Sequence, residues 1–277
     1  MSKGPGPFSE FAKKSRDLLN KDYICEQKLS IYSTTDYGLA LSSNIVKKKS
    51  LSSGYIAAQY KHKNGHVDVK VETETNQVLA SLSIDDLLPS TKTTASVKLP
   101  DYKTAKLELR YVHQQASFSA ASALTESPAL DFSATVGTPS VAFGAEATYA
   151  TSTATFHKYN AGVNFTNRDY SISAILADKG DSIRVSCVRY LPHLNGGALV
   201  GEISRKFSTN ESTVTVGCSY IVDPHTLVKA KLNNHGNLAA LVQHEMKSKS
   251  SLTISAAFDT KTLNDTPKLG MGLSFSP

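Results

Sequence analysis

The feature that most constrains this chain is an alternation that hardly ever stops. From about Cys25 onward, apolar and polar residues trade places with a period of two. Val67, Val69 and Val71 alternate with Asp68, Lys70 and Glu72, and Leu107, Leu109 and Tyr111 with Lys106, Glu108 and Arg110. Val214, Val216, Cys218 and Tyr220 alternate with Thr213, Thr215, Gly217 and Ser219; after a turn at Asp223-Pro224-His225, Val228, Ala230 and Leu232 alternate with Lys229, Lys231 and Asn233. Successive side chains of a strand point to opposite faces, so each run predicts a strand with one apolar and one polar face. The runs recur about every 12–14 residues and are separated by short turn signals. Examples are Lys63-Asn64-Gly65, Leu99-Pro100-Asp101, Asp178-Lys179-Gly180, Asn195-Gly196-Gly197 and Asn234-His235-Gly236. Consecutive antiparallel hairpins follow, with no linker and no shift of composition after the first strand.

An apolar face must be covered by a second sheet, by helices or by lipid. A soluble sandwich of this size would carry strongly charged outer positions. Here the polar faces are rich in Ser, Thr, Gly, Asn and Lys, and the apolar faces are Val, Leu, Ile, Ala and Tyr. A closed barrel with lipid outside and water inside fits that pattern better, because it leaves no backbone group unpaired in hydrocarbon. Mean hydropathy is −0.22, and no stretch approaches the ~20 apolar residues of a spanning helix. Neither observation argues against a barrel, since half of each barrel strand faces water. The expected class is all-β, a transmembrane β-barrel over residues 25–277 preceded by an N-terminal segment over residues 1–24.

That segment holds the one strong helical signal. Phe8, Phe11, Ala12, Ser15, Leu18 and Leu19 share a side at helical spacing, while Lys13, Lys14, Arg16 and Asp17 fall mostly elsewhere. The spacing predicts an amphipathic helix over about residues 7–20, either packed on a core or lying mobile in a pore. Three cysteines, Cys25, Cys187 and Cys218, are far apart and suggest free thiols, buried or facing lipid. Met1 to Pro7 leads to no long apolar stretch, so no secretory signal is expected, and the acidic Glu10 and Asp17 weaken a mitochondrial presequence reading. The net charge of +6 permits anionic partners.

The hairpin at Asp223 also carries a resemblance. Tyr220-Ile221-Val222-Asp223-Pro224-His225-Thr226 followed by Ala230-Lys231-Leu232-Asn233-Asn234 resembles the signature of the eukaryotic mitochondrial porins, the voltage-dependent anion channels. Gly4-Pro5-Gly6 with the run from Phe11 to Leu19 resembles plant members, as do the stretches Val97–Tyr102, Lys158–Gly162, Asp178–Asp181 and Gln243–Glu245. The resemblance covers essentially the whole chain. It implies a barrel of about 19 strands whose first and last strands pair in parallel, with the N-terminal helix in the pore; the odd count is a known property of that family and comes with the resemblance alone. The alternation by itself gives about eighteen or nineteen runs. Lys268 to Phe275 resembles the C-terminal signal read by the outer-membrane insertion machinery. One departure stands out. Many animal members carry a glutamate on the lipid side of an early strand, where this chain has Val67, Val69 and Val71 with Glu72 on the other parity. Regulation through such a buried acid is not expected here.

A diffusion pore needs a wide wet channel lined by charge of one predominant sign, and no nucleophile. Residues matching that role are Lys13, Arg16 and Lys21 on or beside the helix, Lys92 and Lys106 on early strands, and Lys231 on the signature strand. The resemblance puts Lys92, Lys106 and Lys231 inside, and alternation independently gives Lys106 and Lys231 the polar face. Glu108 shares that face, so selectivity is expected to be a bias. Lys13, Lys14 and Arg16 are the candidates for voltage sensing. His244-Glu245 lacks the His-Glu-x-x-His zinc pattern, and no Walker-type or dinucleotide glycine loop is found, so no cofactor, metal or enzymatic activity is expected. The function implied is a voltage-gated, weakly anion-selective pore for metabolites and nucleotides such as ATP and ADP in the mitochondrial outer membrane. The competing functions are a docking platform for kinases or for further copies of the chain, a polypeptide-conducting relative, and a soluble β-rich binding protein. Membrane lipid is the surrounding partner, and specific nucleic-acid binding is not required.

Overall fold

A computed structural model of the chain describes residues 4–48, 51–85, 89–192, 196–246, 249–261 and 266–276. The turn expected at Asn195 falls at the edge of the described residues, Asn195 itself lying outside them. A 3-10 turn, Phe8–Glu10, and a helix, α1 (Lys13–Asn20), precede the strands β1 (Gln27–Thr34), β2 (Leu39–Lys48), β3 (Leu51–His62), β4 (Gly65–Glu72), β5 (Gln77–Asp85), β6 (Thr91–Leu99), β7 (Lys106–Val112), β8 (Ala116–Ala123), β9 (Ala129–Gly137) and β10 (Val141–Ala150). After these come β11 (Thr155–Thr166), β12 (Tyr170–Ala177), β13 (Ser182–Leu191), β14 (Gly197–Lys206), β15 (Glu211–Asp223), β16 (Thr226–Asn233), β17 (Asn237–Met246), β18 (Ser250–Asp259) and β19 (Lys268–Phe275).

Every strand pairs antiparallel with the next, and the ring closes where β1 pairs with β19. That closing pair must be parallel. In an up-and-down meander the first and nineteenth strands run the same way, and the register from Gln27↔Met271 to Ile31↔Phe275 follows from it. Closure removes both edges, so the backbone hydrogen bonds of the wall are satisfied within the wall.

The burial pattern is inverted relative to a soluble domain. Large apolar residues such as Ile56, Phe143, Val216 and Ile254 are more than half exposed. Ser30, Asn44, Thr135, Ser173, Ser186 and Ser255 are buried. A two-layer sandwich would hide the first set and expose the second, so the soluble alternative fails. The registers carry the same parity around the wall: Val67 faces Tyr60 and Leu82, and Phe143 faces Val136 and Val163, all on the outer face. Glu72 lies on the inner face, where its carboxylate takes the Lys70 ammonium at 2.6 Å.

The helix departs from the expected single run over residues 7–20. It breaks at Ala12, whose φ of 55° is left-handed. The Ala12 amide donates to Ser173 Oγ on β12 at 3.1 Å instead of closing a helical turn. The break turns Phe8 and Phe11 onto one part of the wall and Leu19 onto another.

Candidate functional site

The N-terminal segment lies inside the barrel on two apolar pads. Phe8 and Phe11, with ring centroids 5.1 Å apart, pack with Ala142 and Ile175 on β10 and β12. Glycine makes this approach possible: a Cβ on Gly144 would lie 2.7 Å from Phe8 and 3.2 Å from Phe11. Leu19 packs with Val188, Ala198 and Val200 on β13 and β14, and a Cβ on Gly217 of β15 would come within 2.8 Å of it. These inner positions break the polar pattern of their faces, and burial of apolar area there holds the helix to the wall.

A cationic clamp secures the end of the segment. Lys231 Nζ donates to the Leu19 carbonyl at 2.6 Å and sits 4.4 Å above the Tyr23 ring. Its ammonium complements the negative end of α1. Lys229 Nζ lies 3.5 Å from Asp22 Oδ2, with its side chain only 8% exposed. Asp22 holds a left-handed φ of 72°, which aspartate tolerates better than most residues. Burial pushes the Tyr23 phenol up to about 12, with the Cys218 charge a second contribution, and the hydroxyl has no hydrogen-bond partner among the described residues. Alternation correctly gave Lys229 the inner face, but it implied a side chain in open water. The structure corrects that, because the segment covers it.

On its other side the segment faces open space. Lys13, Arg16 and Lys21, with Glu10 and Asp17, line an open cavity that Arg110 on β7 also borders. Arg16 Nη2 donates to the Ser9 and Phe11 carbonyls at 2.8 and 3.2 Å, bracing the break in the segment. Lys14 points the other way, to the wall, 5.5 Å from the Tyr190 ring. Lys92 is on the inner face opposite Arg110 and pairs with Asp85 at 3.6 Å. Lys106 is inward on β7 with Glu108 and Arg110. Glu108 takes the Arg110 guanidinium at 3.1 Å. Among the described residues, Lys13, Arg16, Lys21, Lys106 and Lys231 have no carboxylate in ion-pair range. The structure thus brings Lys13, Arg16 and Lys21 together, leaves Lys92 and Lys106 on the barrel wall, and gives Lys231 an anchoring position. Sequence reasoning missed Arg110 as a channel residue although its parity was plain, and missed the Lys229–Asp22 pair, for which separation along the chain left no signal.

Three comparisons bear on this geometry. Residues 4–270 match the family described as Eukaryotic porin. The chain is 48% identical to mitochondrial outer membrane protein porin 2 of Arabidopsis thaliana over the full length of both. It is 49% identical to porin 5 of Oryza sativa subsp. japonica over 99% of each, and 38% identical to the 36 kDa porin of Solanum tuberosum over all of both. Among solved structures, a mutant porin of Rh. blastica superposes with a TM-score of 0.51 at 10% identity, covering 80% of this chain and 90% of that one. That last likeness concerns the fold alone.

Proposed function

The chain belongs to the eukaryotic porin family, and from that premise we propose how its inner face performs the passage. It is a channel of the mitochondrial outer membrane through which small anions and metabolites diffuse, as its full-length relatives' membrane assignment and family indicate. The proposal concerns which residues set the bias and the closure. Lys13, Arg16, Lys21 and Lys106, which make no ion pair among the described residues, supply the positive field along the open path, offset in part by Glu10 and Asp17. Lys92 and Arg110 contribute less, because Asp85 and Glu108 neutralise much of their charge at short range. Phosphates such as those of ATP and ADP concentrate in that field without being held. The observation that carries the reading is the one-sidedness of the segment: apolar pads to the wall, and Lys13, Arg16 and Lys21 to the open side.

Closure, in this reading, moves the segment over residues 1–24 against the barrel over residues 25–277. Lys13, Lys14 and Arg16 are the charges that feel the field, at about 2.3 kcal/mol per elementary charge per 100 mV. Three charges crossing even part of the field gain several kcal/mol, on the order of what docking contacts of this kind supply. A kinase or a second copy would use a rim or the outer wall and enters no step of the passage.

Planar-bilayer recording under a salt gradient tests the bias. Lys106→Glu should shift the reversal potential toward cations, and Lys231→Gln should shift it less while altering voltage closure. Equal selectivity shifts, or none from Lys106→Glu, would sink the assignment of the free lysines as the source of the bias.

A further inference from the structure

The outer wall carries very little charge. Among the described strand residues, the registers put only Lys47, Arg189, Arg205 and Asp223 of the Lys, Arg, Asp and Glu side chains on the outer face, Asp223 being the last residue of β15, beyond its bulge. Lys47 and Arg205 are next to last in β2 and β14, both ending at one rim. Arg205 is already engaged, donating to Asn210 Oδ1 at 2.8 Å and lying 5.9 Å from the Phe207 ring. Arg189 is different. It belongs to the opposite rim, is exposed, and has no hydrogen bond, ion pair or ring contact among the described residues.

Its level on the wall can be read from its neighbours. In register it faces Tyr170 on β12 and Leu199 on β14. Tyr60, Tyr111, Tyr170 and Tyr220 are the outward residues close to this same rim on β3, β7, β12 and β15. Tyrosines gather where hydrocarbon meets headgroups, so these four mark the boundary. Arg189 is two residues from the end of β13. With a rise of ~3.3 Å per residue and a strand tilt near 40°, its Cα lies roughly 5 Å below the rim, a depth that an extended arginine spans by snorkelling. The turn before β12 adds Arg168, which is exposed, and brings the Asp169 carbonyl onto the Tyr190 amide at 2.7 Å. The Asp169 carboxylate is the one acid of this turn, and it makes no ion pair with Arg189.

We propose that Arg189, beside Tyr170 and below the Arg168 turn, is a binding site for the phosphodiester headgroup of an anionic phospholipid. A guanidinium held at headgroup depth without a protein counter-ion is complementary to a phosphate whose charge is not cancelled by its own head. A zwitterionic lipid offers the same phosphate but cancels it, so the site discriminates by net charge. The tyrosine ring supplies an apolar body beside the upper acyl chain and a hydroxyl toward the head.

The full chain, refolded in phosphatidylcholine bilayers with and without phosphatidylglycerol, provides the test. Native mass spectrometry reads the phosphatidylglycerol retained, and thermal unfolding reads the stabilisation. The natural chain should retain phosphatidylglycerol about five- to tenfold better than Arg189→Gln, and its midpoint should rise with phosphatidylglycerol while that of the variant does not. Arg189→Lys should fall between them. Arg205→Gln, at the other rim, should behave like the natural chain and controls for general surface charge. Equal retention by the natural chain and Arg189→Gln overturns the proposal. So does a stabilisation reproduced by inorganic phosphate in pure phosphatidylcholine, which would make this a free-anion site, or a loss of cross-linked dimers in Arg189→Gln without phosphatidylglycerol, which would make it a contact between copies.

Discussion

Removing the Lys229–Asp22 pair should loosen the N-terminal segment without opening the barrel. The charges are 3.5 Å apart, with the lysine side chain 8% and the aspartate 36% exposed. At an effective dielectric of about 20, their attraction is roughly 4–5 kcal/mol. Desolvation of the nearly buried ammonium and the partial exposure of the carboxylate take back most of that, leaving a net contribution of about 1–2 kcal/mol to docking. Lys229→Met and Asp22→Asn should each raise the released population about 5- to 30-fold. Asparagine is the partner of choice at 22 because it tolerates the left-handed φ of 72°. The segment carries its own reporters in Lys13, Lys14, Arg16 and Lys21, which trypsin reaches only when the segment leaves the barrel. With rapid reclosing, the cleavage rate in intact vesicles tracks that population. In the double variant the cost should not add, since the interaction is lost once. Additive effects, or unchanged cleavage in both single variants, would refute the clamp.

Three further outcomes follow from the same geometry. Gly144→Val and Gly217→Val should leave the barrel folded by circular dichroism yet accelerate trypsin cleavage of the segment, because the new side chains occupy the space of Phe8 and Leu19; unchanged cleavage would mean the pads do not hold it. Ala230→Arg, placed on the outer face near the middle of β16 opposite Cys218 and Ala240, should lower the unfolding midpoint in bilayers at a cost of about 2–4 kcal/mol, whereas Val228→Arg, level with the boundary residue Tyr220, should cost only about 0–1 kcal/mol, and normal insertion of Ala230→Arg would argue against the outward register. Docking should also weaken at high pH through Tyr23. Its docked pKa is raised to about 12 against about 10 when released, so the contribution is complete below pH ~10 and lost as pH climbs through the docked value. Tyr23→Phe should abolish that part of the cleavage-versus-pH curve, and identical curves for both proteins would count against it.

The wall was legible in the sequence because its physics is one-dimensional. A period of two, written in Val67 to Glu72 or Thr213 to Tyr220, fixes faces without reference to any distant residue. The inversion of burial then decides between lipid and a second sheet. The dock was not legible for the opposite reason. Val188, Val200, Ala142 and Ile175 sit on faces that are otherwise polar, and each looks like a lapse of pattern until Leu19 or Phe8 is laid on it. Gly144 and Gly217 read as ordinary small residues of a polar face, although each makes room for a side chain of the segment. The spacing put the helix in the right segment, although α1 covers only Lys13–Asn20 of the expected residues 7–20. Its break at Ala12 escaped, since the amide that leaves the helix is taken by Ser173, 161 residues away.

The lysines show where parity stops being informative about function. Alternation treats Lys70, Lys106, Lys229 and Lys231 alike, as inward cations, and the resemblance adds Lys92 to them. The structure divides them by what stands within a few ångströms. Lys70 and Lys92 are matched by Glu72 and Asp85 and add little to the field of the channel. Lys229 and Lys231 are engaged by Asp22, the Leu19 carbonyl and the Tyr23 ring, so their charge holds the segment in place. Lys106 faces inward with no carboxylate in ion-pair range among the described residues, which is why the proposed function assigns it to the passing ions. The net charge of +6 therefore says little about selectivity, and two substitutions that remove the same unit of charge should differ in kind. One at Lys106 should move the reversal potential, whereas one at Lys229 or Lys231 should act first on closure, because docking is what those ammonium groups support.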